Sequence, residues 1–135
     1  METERQGGDD AYFRARILMV SEDVGDIVRE HMESNGFRFA NLDARNASDI
    51  LDELARRHYD LVVLTNNGFP PEKIAGAIGS ILASFPNLRV FVASGWKDDA
   101  VARLWLSSGA DRVLPLPFRM LDFVDEINCV VRPRQ

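Results

Sequence analysis

Five short apolar runs recur along the chain, and each is followed by a stretch in which apolar residues return every three or four positions. The runs are RILMV (16–20), FRFANL (37–42), DLVVLT (60–65), LRVFVAS (88–94) and DRVLPL (111–116). Their length and β-branched content predict strands. FRFANL alternates apolar with polar residues, as a more exposed strand does; the others are nearly continuous, as strands covered on both faces are. Between them, Val24, Ile27, Val28 and Met32 mark one helical stripe that stops at Asn35-Gly36. Ile50, Leu51 and Leu54 mark a second, in NASDILDELARR, which opens with capping chemistry. Ile74, Ala77, Ile78, Ile81 and Leu82 follow Pro71, a residue suited to a first helical turn. KDDAVARLWLSS offers Val101, Leu104 and Leu106 as a core stripe, with Trp105 off its centre, and stops at Gly109. RMLDFVDEINCVV closes the pattern, with Cys129 as a small core residue.

Strand and helix alternate with short connections, so each helix must carry the chain back before the next strand. The result is a parallel sheet, and right-handed crossovers place helices on both of its faces. The expected fold is a doubly wound α/β domain of the (βα)5 type, with a five-stranded parallel sheet in the order 2-1-3-4-5. It should span residues 14–131, between a mobile N-terminal tail (1–13) and a short C-terminal tail (132–135). With 135 residues and 46% apolar content, one domain with a real core is expected.

Charge and motifs narrow the function by exclusion. Twenty-one acidic against 16 basic side chains give a formal net charge of −5, which offers nothing to nucleic acid phosphates. No run approaches a membrane span, and METERQGGDDAYF lacks the apolar core of a signal peptide, so a cytoplasmic location is expected. Cys129 is the single cysteine and has no partner for an internal disulfide. His31 and His58 lack acidic or thiol partners at metal-binding spacing and read as surface residues. No GxSxG, HExxH or CxxC pattern occurs, and Ser107-Ser108-Gly109 is a helix terminus rather than a phosphate loop. No enzymatic activity and no cofactor are expected.

In a doubly wound sheet the ligand crevice lies beyond the carboxyl ends of the strands. For this strand order the exits are Ser21, Glu22 and Asp23; Thr65 to Gly68; Ser94 to Trp96; and Leu114 to Pro117. Taken alone, these residues have plain structural readings. Thr65 can bond to backbone at a strand end, Glu22 and Asp23 complement a helix start, and Asn66-Asn67-Gly68 suits a turn.

ILMVSED followed by a helix and NGF, then YDLVVLT, VFVASG and GADRVLPLPF, resemble in order the segments of the receiver domain of two-component response regulators. The last segment is the most specific, and the resemblance covers roughly residues 14 to 131. It implies phosphoryl transfer to a carboxylate at the end of strand three. A divalent cation held by that carboxylate and an acidic pair would assist, with a hydroxyl after strand four and a lysine after strand five. Carried over by residue, the acidic pair becomes Ser21 and Glu22, with Asp23 one step too far. The acceptor becomes Thr65, or Asn66 in another placement. The hydroxyl is matched by Ser94, the lysine is replaced by Leu116, and the switching aromatic is replaced by Val113. The losses are mutually consistent, since an ammonium without its carboxylate and carboxylates without their metal would each be poorly compensated. The expectation is a degenerate phosphorylation site without a tight metal site, Glu22 and Asp23 being the residual ligands should any cation bind.

Such a domain would signal by protein contact, to another signalling protein or to a fused output domain. Its end, shortly after the last helix, suits either a stand-alone protein or a piece of a longer regulator. The resemblance points to helix four, strand five and helix five as the contact face, also for a homodimer. The candidates there are Trp96, Lys97, Arg103, Trp105 and Arg112. Trp96 would either cover the vacated pocket or face a partner, and Trp105 would either anchor a partner or pack against helix three or five. Two rivals remain: a phosphorelay receiver with a non-standard phosphoacceptor, and a flavodoxin-like module binding a nucleotide or flavin at the strand exits.

Overall fold

The computed structural model describes residues 14–22, 25–65, 69–95 and 98–131. Among them are β1 (Ala15–Val20), α1 (Gly25–Ser34), β2 (Phe37–Leu42), α2 (Ala47–Arg56), β3 (Leu61–Thr65), α3 (Pro71–Ser84), β4 (Arg89–Ser94), α4 (Asp99–Ser108), β5 (Arg112–Pro115) and α5 (Met120–Val130). The five strands are all parallel, in the order β2-β1-β3-β4-β5. Fold class and strand order are those expected. Both tails and Val24 lie outside the described residues.

Successive side chains of a strand point to opposite faces, and here both faces are covered. Leu18, Val20, Val62, Leu64, Val90 and Val92 join Ile50 and Leu54 of α2, Ile74, Ile78 and Ile81 of α3, and Trp105 of α4 in one core. The alternate positions Ile17, Met19, Leu61, Val63, Phe91 and Ala93 join Met32 of α1 and Phe123, Val124 and Ile127 of α5 in the other. The middle strands are therefore apolar along their central positions, with Arg16, Thr65, Arg89 and Ser94 at or near their ends. Edge strand β2 buries only Phe37 and Phe39 fully, which explains its alternation.

The helix ends carry the expected chemistry. Asn46 caps α2 by accepting from the Asp49 amide, and Pro71 starts α3. Gly109 ends α4 at φ 122°, where a Cβ would also run into Leu82.

Three burial expectations are corrected. In α4, Leu104 and Leu106 are exposed and Trp105 is the buried residue, with 1% of its surface accessible. The true inward face runs through Val101 and Trp105, four residues apart, and the indole Nε1 donates to the Pro71 carbonyl at 3.0 Å. Trp105 thus locks α4 to the start of α3. In α5 the inward face is Phe123, Val124 and Ile127, which turns Cys129 outward, so the thiol is exposed rather than a core residue. In α1, Met32 is buried but Ile27 is 81% exposed. Histidine is also only partly as expected: His58 is exposed, whereas His31 is half-buried with its Nε2 enclosed.

The amino ends of the strands show a repeated device. Asp60, just before β3, donates its amide to the Arg16 carbonyl (2.8 Å) and accepts the Arg16 amide on Oδ2 (2.8 Å). Asp111, just before β5, does the same with Val90, at 2.7 and 2.9 Å. Each aspartate supplies a side-chain acceptor where a parallel ladder begins and backbone acceptors run out.

Candidate functional site at the strand exits

The carboxyl ends of β1, β3, β4 and β5 bring Ser21, Thr65, Ser94 and Leu116 into one row. Thr65 stands in register with Ala93, next to Ser94, and Ser94 in register with Pro115, next to Leu116. The four positions that the sequence assigned to one site are therefore neighbours. Asp23 and Asn66 lie outside the described residues, as do Asn67 and Gly68.

Each neutral side chain in the row is engaged. The Thr65 hydroxyl donates to the Val20 carbonyl at 2.8 Å, so it ties β3 to β1 across the sheet. The Ser21 hydroxyl donates to the Glu22 carbonyl at 2.7 Å and accepts from the Asn41 amide group at 3.3 Å. Asn41 Nδ2 also donates to the Met19 and Ser21 carbonyls, both at 3.1 Å. Asn41 thereby satisfies the carbonyls that β1 leaves beyond its ladder. This anchoring role was not read from the sequence, although a lone amide near the end of an edge strand is a usable signal. Ser94 is 2% exposed, and its carbonyl accepts the Leu116 amide at 2.9 Å.

Leu116 is half-buried and packs against the core that includes Phe91, Ala93, Leu114 and Phe123, and is followed by a cis bond to Pro117. Its side chain extends the core to the place where a lysine would have reached the crevice. Val113 is half-buried against the opposite core. Glu22 is exposed. Among the described residues, no three His, Cys, Asp or Glu side chains are grouped closely enough to hold a metal ion. The arrangement provides Ser21 and Thr65 hydroxyls that are already hydrogen-bonded, a leucine where a cation would help and, among the described residues, no base bonded to Thr65 to activate it.

The contact candidates separate. Arg103 is exposed on α4, and Arg112 is exposed on β5 with Nε donating to Glu126 of α5 at 3.0 Å. Trp105 is a core residue, which settles its two readings in favour of packing on α3 and removes it as a surface anchor. Trp96 and Lys97 lie outside the described residues. Leu104 and Leu106, expected in the core, are instead exposed beside Arg103, with 36% and 46% of their surface accessible.

No family model matches the chain, and no curated protein sequence matches it either. Solved structures do resemble it. A response regulator from Thermotoga maritima is 23% identical, with a TM-score of 0.75 over 87% of this chain and 98% of that one. The orphan response regulator HP1043 of H. pylori is 19% identical, with a TM-score of 0.75 over 87% and 96%. An atypical orphan response regulator with a phosphorylation-independent regulatory mechanism is 19% identical, with a TM-score of 0.71 over 84% and 92%. At these identities the likeness concerns the fold, and the fold is that of response-regulator receiver domains.

Proposed function

We propose that this chain is a signalling module with a receiver fold that works through protein contacts instead of phosphoryl transfer. The observation that carries the reading is the Thr65 hydroxyl bonded to the Val20 carbonyl where the acceptor would stand, with Leu116 in the core where the lysine would stand. One structurally similar protein has a phosphorylation-independent mechanism, and the strand exits here suit the same mode. The contact face is that of α4, β5 and α5. With Trp105 withdrawn into the core, its exposed residues include Arg103, Leu104, Leu106 and the Glu126-paired Arg112. Leu106, one turn on from Arg103, sets an exposed apolar side chain beside a guanidinium, which fits a protein partner better than solvent, while Leu104 lies on the other side of α4. The partner is another signalling protein, a fused output domain or a second copy. Among the described residues no helix is long and apolar enough to cross a membrane, and we place the module in the cytoplasm.

The test is NMR of the full chain with Mg²⁺ and beryllofluoride, then with acetyl phosphate. The expected result is no saturable shift at Glu22, Thr65 or Ser94, and no label incorporated. A saturable response at these three residues returns the phosphorelay reading. Thr65→Asp is also expected to remain unlabelled, because its carboxylate would face the Val20 carbonyl with Leu116 standing where the phosphoryl-binding lysine would be. Rapid labelling of that variant would overturn the proposal.

A further inference from the structure

Between α2 and α3, next to Thr65, the molecule keeps a cleft of about 300 Å³. Its floor is Val20 and Leu64 of the sheet, and its walls are Ala47 and Ile50 of α2 and Ile74 and Ala77 of α3. The cleft exists because the facing helix surfaces are built of small residues. Alanine on one side meets glycine and alanine on the other, and such side chains cannot fill the wedge between two helices splayed on a twisted sheet. Gly76 lies exposed on the rim of the cleft, and a Cβ built there meets nothing within 4 Å. A volume near 300 Å³ is at the lower end of the size of small-molecule sites, about 300–1,000 Å³.

The mouth has one sign of charge. Lys73, on the first turn of α3, reaches to the β2–α2 connection, where its ammonium lies 3.4 Å from the Arg45 carbonyl and 4.5 Å from the centroid of the Phe69 ring. Among the described residues, no carboxylate is among the side chains that line the cleft. The ammonium is therefore balanced by a long hydrogen bond and an aromatic face, both weaker partners than an anion. Of the other polar lining groups, Asn46 Oδ1 caps α2 and the Thr65 hydroxyl serves Val20, while the Asn46 amide NH2 and the Ser80 hydroxyl are neutral groups that add no charge to the lining. An occupant must present an apolar body to the walls and floor and an anionic head to Lys73.

We propose that this cleft binds a small free carboxylic acid with an apolar body, its carboxylate on Lys73 and its hydrocarbon between α2 and α3. Burying the hydrocarbon supplies the affinity, and the lysine selects the acid over a neutral analogue. This site is separate from the α4, β5 and α5 face, so it stands whether or not the contact reading holds.

The test titrates the isotope-labelled full chain with sodium octanoate and, separately, with 1-octanol, each kept monomeric, and follows amide shifts. Octanoate should give saturable shifts centred on Ala47, Ile74 and Gly76. Octanol should bind there at least about tenfold more weakly. Lys73→Met should bring octanoate down to the octanol affinity and leave octanol unchanged. Gly76→Leu should abolish binding of both, and thermal melting should show it folded, because the Cβ has room and leucine favours the helix. Failure of octanoate to saturate, shifts centred elsewhere, or retained binding in Gly76→Leu would refute the site. Equal binding of octanoate and octanol to the unmodified chain would refute the acid.

Discussion

The two ends of the sheet are built from opposite chemistry. At the amino ends, carboxylates do the joining: Asp60 clamps Arg16, Asp111 clamps Val90 and pairs with Arg89 at 3.2 Å, and Glu53 accepts the Tyr59 hydroxyl at 2.6 Å. Burial, with the Glu53 carboxylate beside it, pushes the Tyr59 phenol well above its usual range, so it stays a donor. At the carboxyl ends the joining groups are neutral: Thr65 on Val20, Asn41 on Met19 and Ser21, and Leu116 in the core. Among the described residues, the aspartates that join strands stand at the end away from the crevice. The exits have a neutral, hydrogen-bonded solution of their own in place of a charged site that would need a cation to be stable.

If the carboxyl end is held by packing and neutral bonds, its largest sensitivity is to lost apolar volume. Trp105→Ala, which empties a fully buried site and cuts the bond to Pro71, should lower stability by about 3–5 kcal/mol in urea unfolding. At the amino end the sensitive element is the carboxylate. Asp111→Ala strands the Val90 amide and should cost about 1–3 kcal/mol, and Asp60→Ala, which strands the Arg16 amide, should cost a similar amount. A loss below about 0.5 kcal/mol for either would show that the clamps are not what joins those strands. Thr65→Val keeps the shape and removes one neutral bond, so about 0.5–1.5 kcal/mol is expected by the same measurement. Ser21→Ala touches a group near solvent and should stay within about 0.5 kcal/mol. Reversal of the last two would place the main neutral tie of the crevice on β1 instead of β3.

Legibility in the sequence followed periodicity. Strands and helices could be read because apolar spacing is local, and Asn46, Pro71 and Gly109 marked helix ends because capping is local too. The substitutions at Ser21, Thr65 and Leu116 could be read because the flanking segments resembled those of a known domain in order. What failed was the choice of face. Leu104 and Leu106 looked more core-like than Trp105, yet hydrophobicity alone does not say which stripe of a short helix meets its neighbour. Cys129 and Ile27 were misplaced for the same reason. The aspartate clamps were missed although YDLVV and ADRVL both carry Asp one residue ahead of a strand, because the residue each would bond lies 44 and 21 positions away.

The amino-acid sequence by itself determined the doubly wound parallel sheet and the absence of an acidic acceptor at Thr65, since alternation, helix stops and residue identity are properties of neighbours along the chain. The strand order was one adopted for this type of sheet, and the structure has it. Only the tertiary structure decided that Thr65 is bonded to Val20, that Trp105 is core and Leu106 surface, and that small residues leave a cleft under Lys73. Those outcomes depend on how far α2, α3 and α4 stand from the sheet and from each other. That spacing is set by the summed packing of both cores, which no single segment encodes.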